Sequence, residues 1–322
     1  MRNIFVIVNV TAWVVMLLLS FKWPNIIWFS LLLLPISLVG LYDMNQTKHA
    51  IRRNFPFVGR GRWVMEYLRP FLRQYFFESE TDGVPVSRMF RSVIYQRAKG
   101  AQDAVPYGTK LDTQAVGYEW IGHSLAAIHA NKETPRQRID VGGPDCLKPY
   151  SASVFNISAM SYGSLSGNAI EALNKGAKKG GFYHNTGEGS VSPSHLKHGG
   201  DLVWQIGTGY FGCRTADGGF DGDSFAKTAI KDNIKMIEIK LSQGAKPGHG
   251  GILPADKNTI EIAQIRQVEP GTRVDSPPVH SAFSTPLEMM HFIKQLRGLS
   301  GGKPIGFKLC IGRKSEFIAL CK

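Results

Sequence analysis

Met236-Ile237-Glu238-Ile239-Lys240-Leu241 runs straight into Ser242-Gln243-Gly244-Ala245-Lys246-Pro247-Gly248-His249-Gly250-Gly251. A short apolar run followed by a glycine-rich loop predicts a buried strand whose C-terminal end meets a ligand, since small residues let backbone approach closely. Gln243 offers both a donor and an acceptor, and Lys246 a mobile cation, so the loop reads as an anion- or flavin-binding element. It lacks the Gly-Lys-Ser/Thr ending of a nucleotide P-loop, and no GxGxxG follows a strand in the dinucleotide arrangement.

Outward from this stretch the pattern repeats. Val154–Ser158 predicts a strand, 159–165 a small-residue loop, and Asn168–Lys179 a helix closed by Gly180-Gly181. Phe182–Asn185 predicts a second strand leading into Thr186-Gly187-Glu188-Gly189, Met236–Leu241 is the third, and Ile305–Leu309 the fourth, followed by a helix through Phe317. Strand, loop and helix in alternation specify an α/β fold with a parallel sheet or barrel, whose sites sit at the C-terminal ends of the strands. Lys240 and Lys308 both lie inside otherwise apolar strands, where an ammonium is costly unless an anion meets it. Two equivalent lysines point to a ligand, with a structural salt bridge as the alternative for each. Glu238 is not expected to neutralise Lys240, on the reading that the two face opposite sides of their strand.

Upstream, Ile4–Phe21 and Ile26–Tyr42 are apolar runs separated only by Lys22-Trp23-Pro24-Asn25, each just long enough to cross a bilayer as a helix. Lys48, Arg52, Arg53, Arg60, Arg62, Arg69 and Arg73 follow the second run, so the positive-inside rule predicts a membrane hairpin with both ends, and the catalytic part, in the cytoplasm. The formal net charge is +13. Twelve Lys or Arg stand against five Asp or Glu between Gln46 and Lys110, so the positive surplus gathers behind the apolar hairpin; that fits a membrane surface and argues against a nucleic acid partner. Met65, Leu68, Leu72 and Tyr75 recur at helical steps and predict an amphipathic helix near the bilayer or packed on the barrel. The four cysteines form no CxxC pair, so neither a zinc site nor a disulfide framework is expected. The chain divides on this reading into a hairpin (1–45), a basic juxtamembrane segment (46–150) and the α/β domain (151–322).

The phrases ISAMSYGSLS (157–166), NTGEGS (185–190), KLSQGAKPGHGG (240–251) and IRQVEPGTRVDSPPVHS (265–281) resemble the central FMN domain of glutamate synthase, in its membrane-anchored, stand-alone bacterial form. The resemblance implies a (β/α)8 TIM barrel holding FMN, in an oxidoreductase that makes L-glutamate by reducing 2-iminoglutarate. It implies that Ala159, Met160 and Ser161 lie against the flavin and Lys240 and Lys308 near its pyrimidine edge. Gln243 would touch flavin or 2-oxoacid, Glu188 and Lys246 would act catalytically, and Lys246 and Arg266 would bind the 2-oxoacid. His249 stands where the large synthases carry Glu. The family's iron-sulfur cysteine motif is absent, and so is a glutaminase domain, which implies a glutaminase or electron-donor subunit as partner. With about four strands before Lys322, the N-terminal part of a barrel is expected; the alternative is a non-catalytic membrane-associated remnant or subunit that needs a partner to complete it.

Overall fold

The computed structural model describes residues 1–102, 104–127, 137–241 and 248–322. The chain forms two compact units, Met1–Ala127 and Ile128–Lys322. The hairpin that spans residues 138–153 belongs to the second unit.

In the first unit, α1 (Arg2–Ser20) and α2 (Ser30–Asn45) are joined through a 3-10 turn, Pro24–Phe29. Arg2–Ser20 and Pro24–Asn45 are both long and apolar enough to cross a membrane. Their side chains meet at Ser37, whose Oγ accepts from Asn9 Nδ2 and Trp13 Nε1, both at 2.9 Å. A Cβ on Gly40 would fall 1.9 Å from Phe5 Cζ, so only glycine lets that ring seat against α2. Three further helices follow: α3 (Ala50–Asn54), α4 (Gly61–Leu72, continued by a π-helical turn, Arg73–Phe77) and α5 (Arg88–Ala98).

The second unit opens with an antiparallel hairpin, β1 (Arg138–Val141) and β2 (Tyr150–Ser153). Then come α6 (Gly167–Gly180), β3 (His184–Asn185), α7 (Pro193–Leu196), β4 (Leu202–Ile206), α8 (Gly222–Ala229) and β5 (Ile234–Lys240). A small antiparallel pair, β6 (Ile252–Leu253) and β7 (Val274–Asp275), brackets α9 (Ile260–Arg266), and α10 (Pro286–Leu299), β8 (Ile305–Lys308) and α11 (Lys314–Cys321) complete the chain. Helix ends follow local chemistry: Ser166 Oγ accepts from Ala169 N at the start of α6, and Gly181 closes it in the left-handed region at φ +67.

Among the described residues β3, β4, β5 and β8 form one parallel sheet in that order, as in one part of an α/β barrel. Two strand expectations change. Leu202–Ile206 is a strand that the sequence reading passed over, because all five residues are buried and the run shows no alternation. Val154–Ser158 is not a full strand; it touches the sheet only at Ile157, which makes a parallel bridge to His184.

The sheet has two chemically different faces. Leu202, Trp204, Ile206, Ile237, Ile239 and Ile305 point outward and form the core with Phe225 of α8 and Met289, Phe292 and Leu296 of α10. Trp204 and Phe225 stack with centroids 5.3 Å apart, and both are fully buried. The opposite face carries Asn185, Val203, Gln205, Glu238, Lys240 and Lys308. Phe225→Ala is expected to cost about 3–5 kcal/mol of stability. Chemical denaturation of the purified protein checks this, and a loss below about 1 kcal/mol would mean that the stack does not centre the core.

Candidate functional site

The polar residues gather where the parallel strands end. Lys240 is the last residue of β5 and is paired in register with Lys308, the last of β8. Register partners in a parallel pair share a face, so both ammonium groups rise on the inner side at the C-terminal edge. Lys240 Nζ lies 2.8 Å from Glu188 Oε1, an ion pair with both side chains mostly covered. Lys308 has no ion-pair partner among the described residues. Glu238 shares the face of Lys240, because residues two apart in a strand point the same way; the opposite-face reading was wrong. It still does not serve Lys240, since its Oε1 accepts from Asn185 Nδ2 at 3.0 Å and Gln205 Nε2 at 2.5 Å.

Glu188 is placed by glycines. Gly187, at φ +66, and Gly189 let its loop press against Ser161, where added Cβ atoms would come within 3.0 Å of that residue. A Cβ on Gly207 would lie 2.6 Å from Glu188 Oε2, so the glycine after β4 leaves the carboxylate its room. Arg266, at the end of α9, is buried and donates from Nη2 to Tyr162 O at 3.1 Å. Its guanidinium sits 5.2 Å from the Phe211 ring centroid, while its Nε has no partner among the described residues. Burial pulls the Arg266 pKa down and the nearby Glu188 carboxylate opposes that shift. Thus Met160 and Ser161, Glu188, Lys240, Lys308 and Arg266 belong to one edge, with Ala159 in the same loop. Gln243 and Lys246 lie outside the described residues. His249 lines a cavity of about 20 Å³ together with Glu188, Thr208 and Lys240. That space suits a water-sized group, so a larger ligand must use the open edge. A cavity of about 660 Å³ lies elsewhere, over Val203, Met236 and Glu238 and under the β1–β2 hairpin; it is the hollow of the inner face and not the site of the clustered charges.

Two buried histidines absent from the sequence reading brace this edge. His195 Nε2 is 3.0 Å from Met160 O, which can only accept, so that nitrogen carries the proton. Nδ1 then accepts from the Ser192 amide at 3.2 Å and its hydroxyl at 2.8 Å. By the same logic His280 Nε2 donates to Lys240 O at 2.9 Å, and Nδ1 accepts from the Tyr210 hydroxyl at 3.1 Å. Tyr210 Oη in turn accepts from Ala282 N. The phrase containing His280 was legible, but its partner Tyr210 is seventy positions away; His195 had only its proximity to the Ser192-Pro193 helix start to mark it.

Anion-binding chemistry follows from the charges. Lys240, Lys308 and Arg266 stand against Glu188 and the already committed Glu238, which leaves positive charge in surplus, and Lys308 and the Arg266 Nε are free to donate among the described residues. These features fit the anionic, hydrogen-bond-accepting edge of a flavin. Among the described residues no cluster of three His, Cys, Asp or Glu side chains has metal-holding geometry.

Comparison with known proteins places the second unit in a family. The family described as the conserved region in glutamate synthase matches residues 128–322. The chain belongs to that family. It is 35% identical over 329 residues to the glutamate synthase large subunit-like protein YerD of Bacillus subtilis, covering 89% of this chain and 62% of the relative. It is also 36% identical over 155 residues to the archaeal-type glutamate synthase [NADPH] of Thermotoga maritima, covering 47% of this chain and 28% of that one. The archaeal glutamate synthase [NADPH] of Archaeoglobus fulgidus is 34% identical over 153 residues, 47% of this chain and 27% of the relative. The chain therefore spans less than two-thirds of the length of each of these relatives.

The histidines make this glutamate synthase-family unit sensitive to acid. Burial holds His184 and His195 at a pKa of about 4, and their rings lie 5.2 Å apart. Folding therefore excludes protons that the unfolded chain binds near pH 6.5, so their contribution is complete above that pH and is lost as pH falls toward 4. Each histidine is expected to withdraw up to about 3 kcal/mol across that window. Thermal melts from pH 8 to pH 4 check it: His184→Leu should flatten the decline, and an unchanged slope would remove His184 from the account.

Proposed function

We propose that this chain carries the flavin- and substrate-facing strand ends of an FMN-dependent oxidoreductase of the glutamate synthase type, which reduces 2-iminoglutarate to L-glutamate. The observation that carries the reading is the in-register pair Lys240 and Lys308 on one face, with Glu188 bonded to the first and the second uncommitted. When bound, FMN supplies the hydride. Lys240 and Lys308 hold the negative charge of the flavin edge, as cations beside a flavin ring stabilise its anionic reduced form. Met160 and Ser161 form the wall over which the ring lies, and His195 keeps that wall fixed through the Met160 carbonyl. Arg266 binds a 2-oxoacid carboxylate through its unmet donors, and Glu188, paired with Lys240, orients the substrate nitrogen. Gln243 and Lys246 extend the same reading to the loop after β5.

The same proposal sets the protein in the bacterial inner membrane, with α1 and α2 as spans and both termini and the barrel on the cytoplasmic side. Nitrogen arrives as ammonium or from a glutaminase partner, and electrons from a donor subunit. Support comes from the apolar lengths of both helices and the basic residues after them.

The test is FMN binding by the full-length chain in detergent, followed through quenching of flavin fluorescence, together with 2-oxoglutarate binding to the FMN-loaded protein. Lys308→Met is expected to weaken FMN about tenfold, the loss of roughly 1.4 kcal/mol. Arg266→Gln should weaken 2-oxoglutarate more than FMN. Equal losses for both ligands would defeat the role given to Arg266, and unchanged FMN affinity in Lys308→Met would defeat the whole reading.

A further inference from the structure

Helix α4 does not behave as a surface helix of a globular unit. Such helices bury their apolar stripe, yet no residue of α4 is buried. Val64, Met65, Leu68, Phe71, Leu72 and Tyr75 recur at steps of three and four, so they share one side of the helix and its continuing turn. Of these, Val64 is 52% exposed, Met65 57%, Phe71 50% and Tyr75 67%. Arg62, Glu66, Arg69 and Arg73 occupy a second stripe at the same spacing, with Arg62 Nε 2.7 Å from Glu66 Oε1. Residues 46–77 hold seven Lys or Arg against one acidic residue, Glu66.

The start of this helix is tied to the end of α2. Asp43, in the last turn of α2 and fully buried, accepts from Arg60 Nε at 2.8 Å and Nη2 at 2.7 Å in a two-pronged pair. It also accepts from Phe57 N at 3.2 Å. The residue just before α4 is therefore clamped to the last turn of the apolar helix α2. From that level a helix with one greasy and one cationic side has a natural seat in the plane of the lipid head groups, the apolar side against acyl chains and the arginines among phosphates.

We propose that α4 and the turn after it form an in-plane interfacial helix that binds the anionic phospholipid surface beside the two spans. The inference rests on the membrane reading given above. The charge stripe selects the occupant: a zwitterionic surface or an apolar protein partner would not call for a basic surplus of this size.

The experiment places a photoreactive p-benzoylphenylalanine at Phe71, and separately at Glu66 on the charged stripe, in the full-length chain. The protein is held in nanodiscs of mixed phosphatidylglycerol and phosphatidylcholine, or of phosphatidylcholine alone. Irradiation is expected to give lipid adducts from position 71 and several-fold fewer from position 66. Arg69→Gln should reduce the yield from position 71 about fivefold in the anionic nanodiscs, the worth of one basic residue at such a surface. Adducts from position 71 to protein segments in place of lipid, equal yields from both positions, or equal yields without phosphatidylglycerol would overturn the proposal. An alkaline carbonate wash separates the two readings. Release of the chain from membranes overturns the spans and the surface helix together, whereas a retained chain with protein adducts at position 71 overturns the surface helix alone.

Discussion

The pair between Glu188 and Lys240 joins the two halves of the site. Glu188 hangs from the loop after β3, which rests on Met160 and Ser161, while Lys240 ends β5 beside Lys308. Remove the carboxylate and the mostly covered Lys240 ammonium loses its counter-charge, which low-dielectric surroundings make costly. With it, the edge keeps one committed and one uncommitted lysine, which is the electrostatic condition for receiving an anion without collapsing beforehand.

The rest of the second unit serves to hold that pair still. The outward face of the sheet is a continuous apolar layer against α8 and α10, so strand positions are set by packing away from the charged edge. At the top, neutral histidines take over the work of fixing individual backbone carbonyls: His195 on Met160 and His280 on Lys240. A neutral imidazole suits this role, because one nitrogen donates while the other accepts, and burial keeps it uncharged. Below, Glu238 is held by Asn185 and Gln205, which keeps a second carboxylate from competing for Lys240.

The first unit is organised by a different pair. Asp43 and Arg60 couple the end of an apolar helix to the beginning of an amphipathic one, so the chain turns at a defined level. Ser37 and Gly40 do the equivalent between α1 and α2, one by polar contact and the other by making room for Phe5. Polar groups inside an apolar helix pair are rare and specify one packing of several that shape alone would allow.

Much of this protein was readable in one dimension. Repeated strand-loop-helix units, the glycine phrases and the lysines in apolar strands determined an α/β fold with a charged edge, because local periodicity and the cost of a buried ammonium need no partner to be recognised. Length and apolarity likewise determined the two N-terminal helices. Which carboxylate meets Lys240 was decided only by tertiary structure. Glu238 is near in sequence and shares its face, but Glu188, fifty-two positions away, reaches it through a turn that Gly187, Gly189 and Gly207 permit. Leu202–Ile206 escaped notice for a related reason: a strand covered on both sides has no alternation to betray it, and only the assembled layers supply the cover. Distant contacts of this kind depend on which surfaces folding brings together, and no spacing along the chain records them.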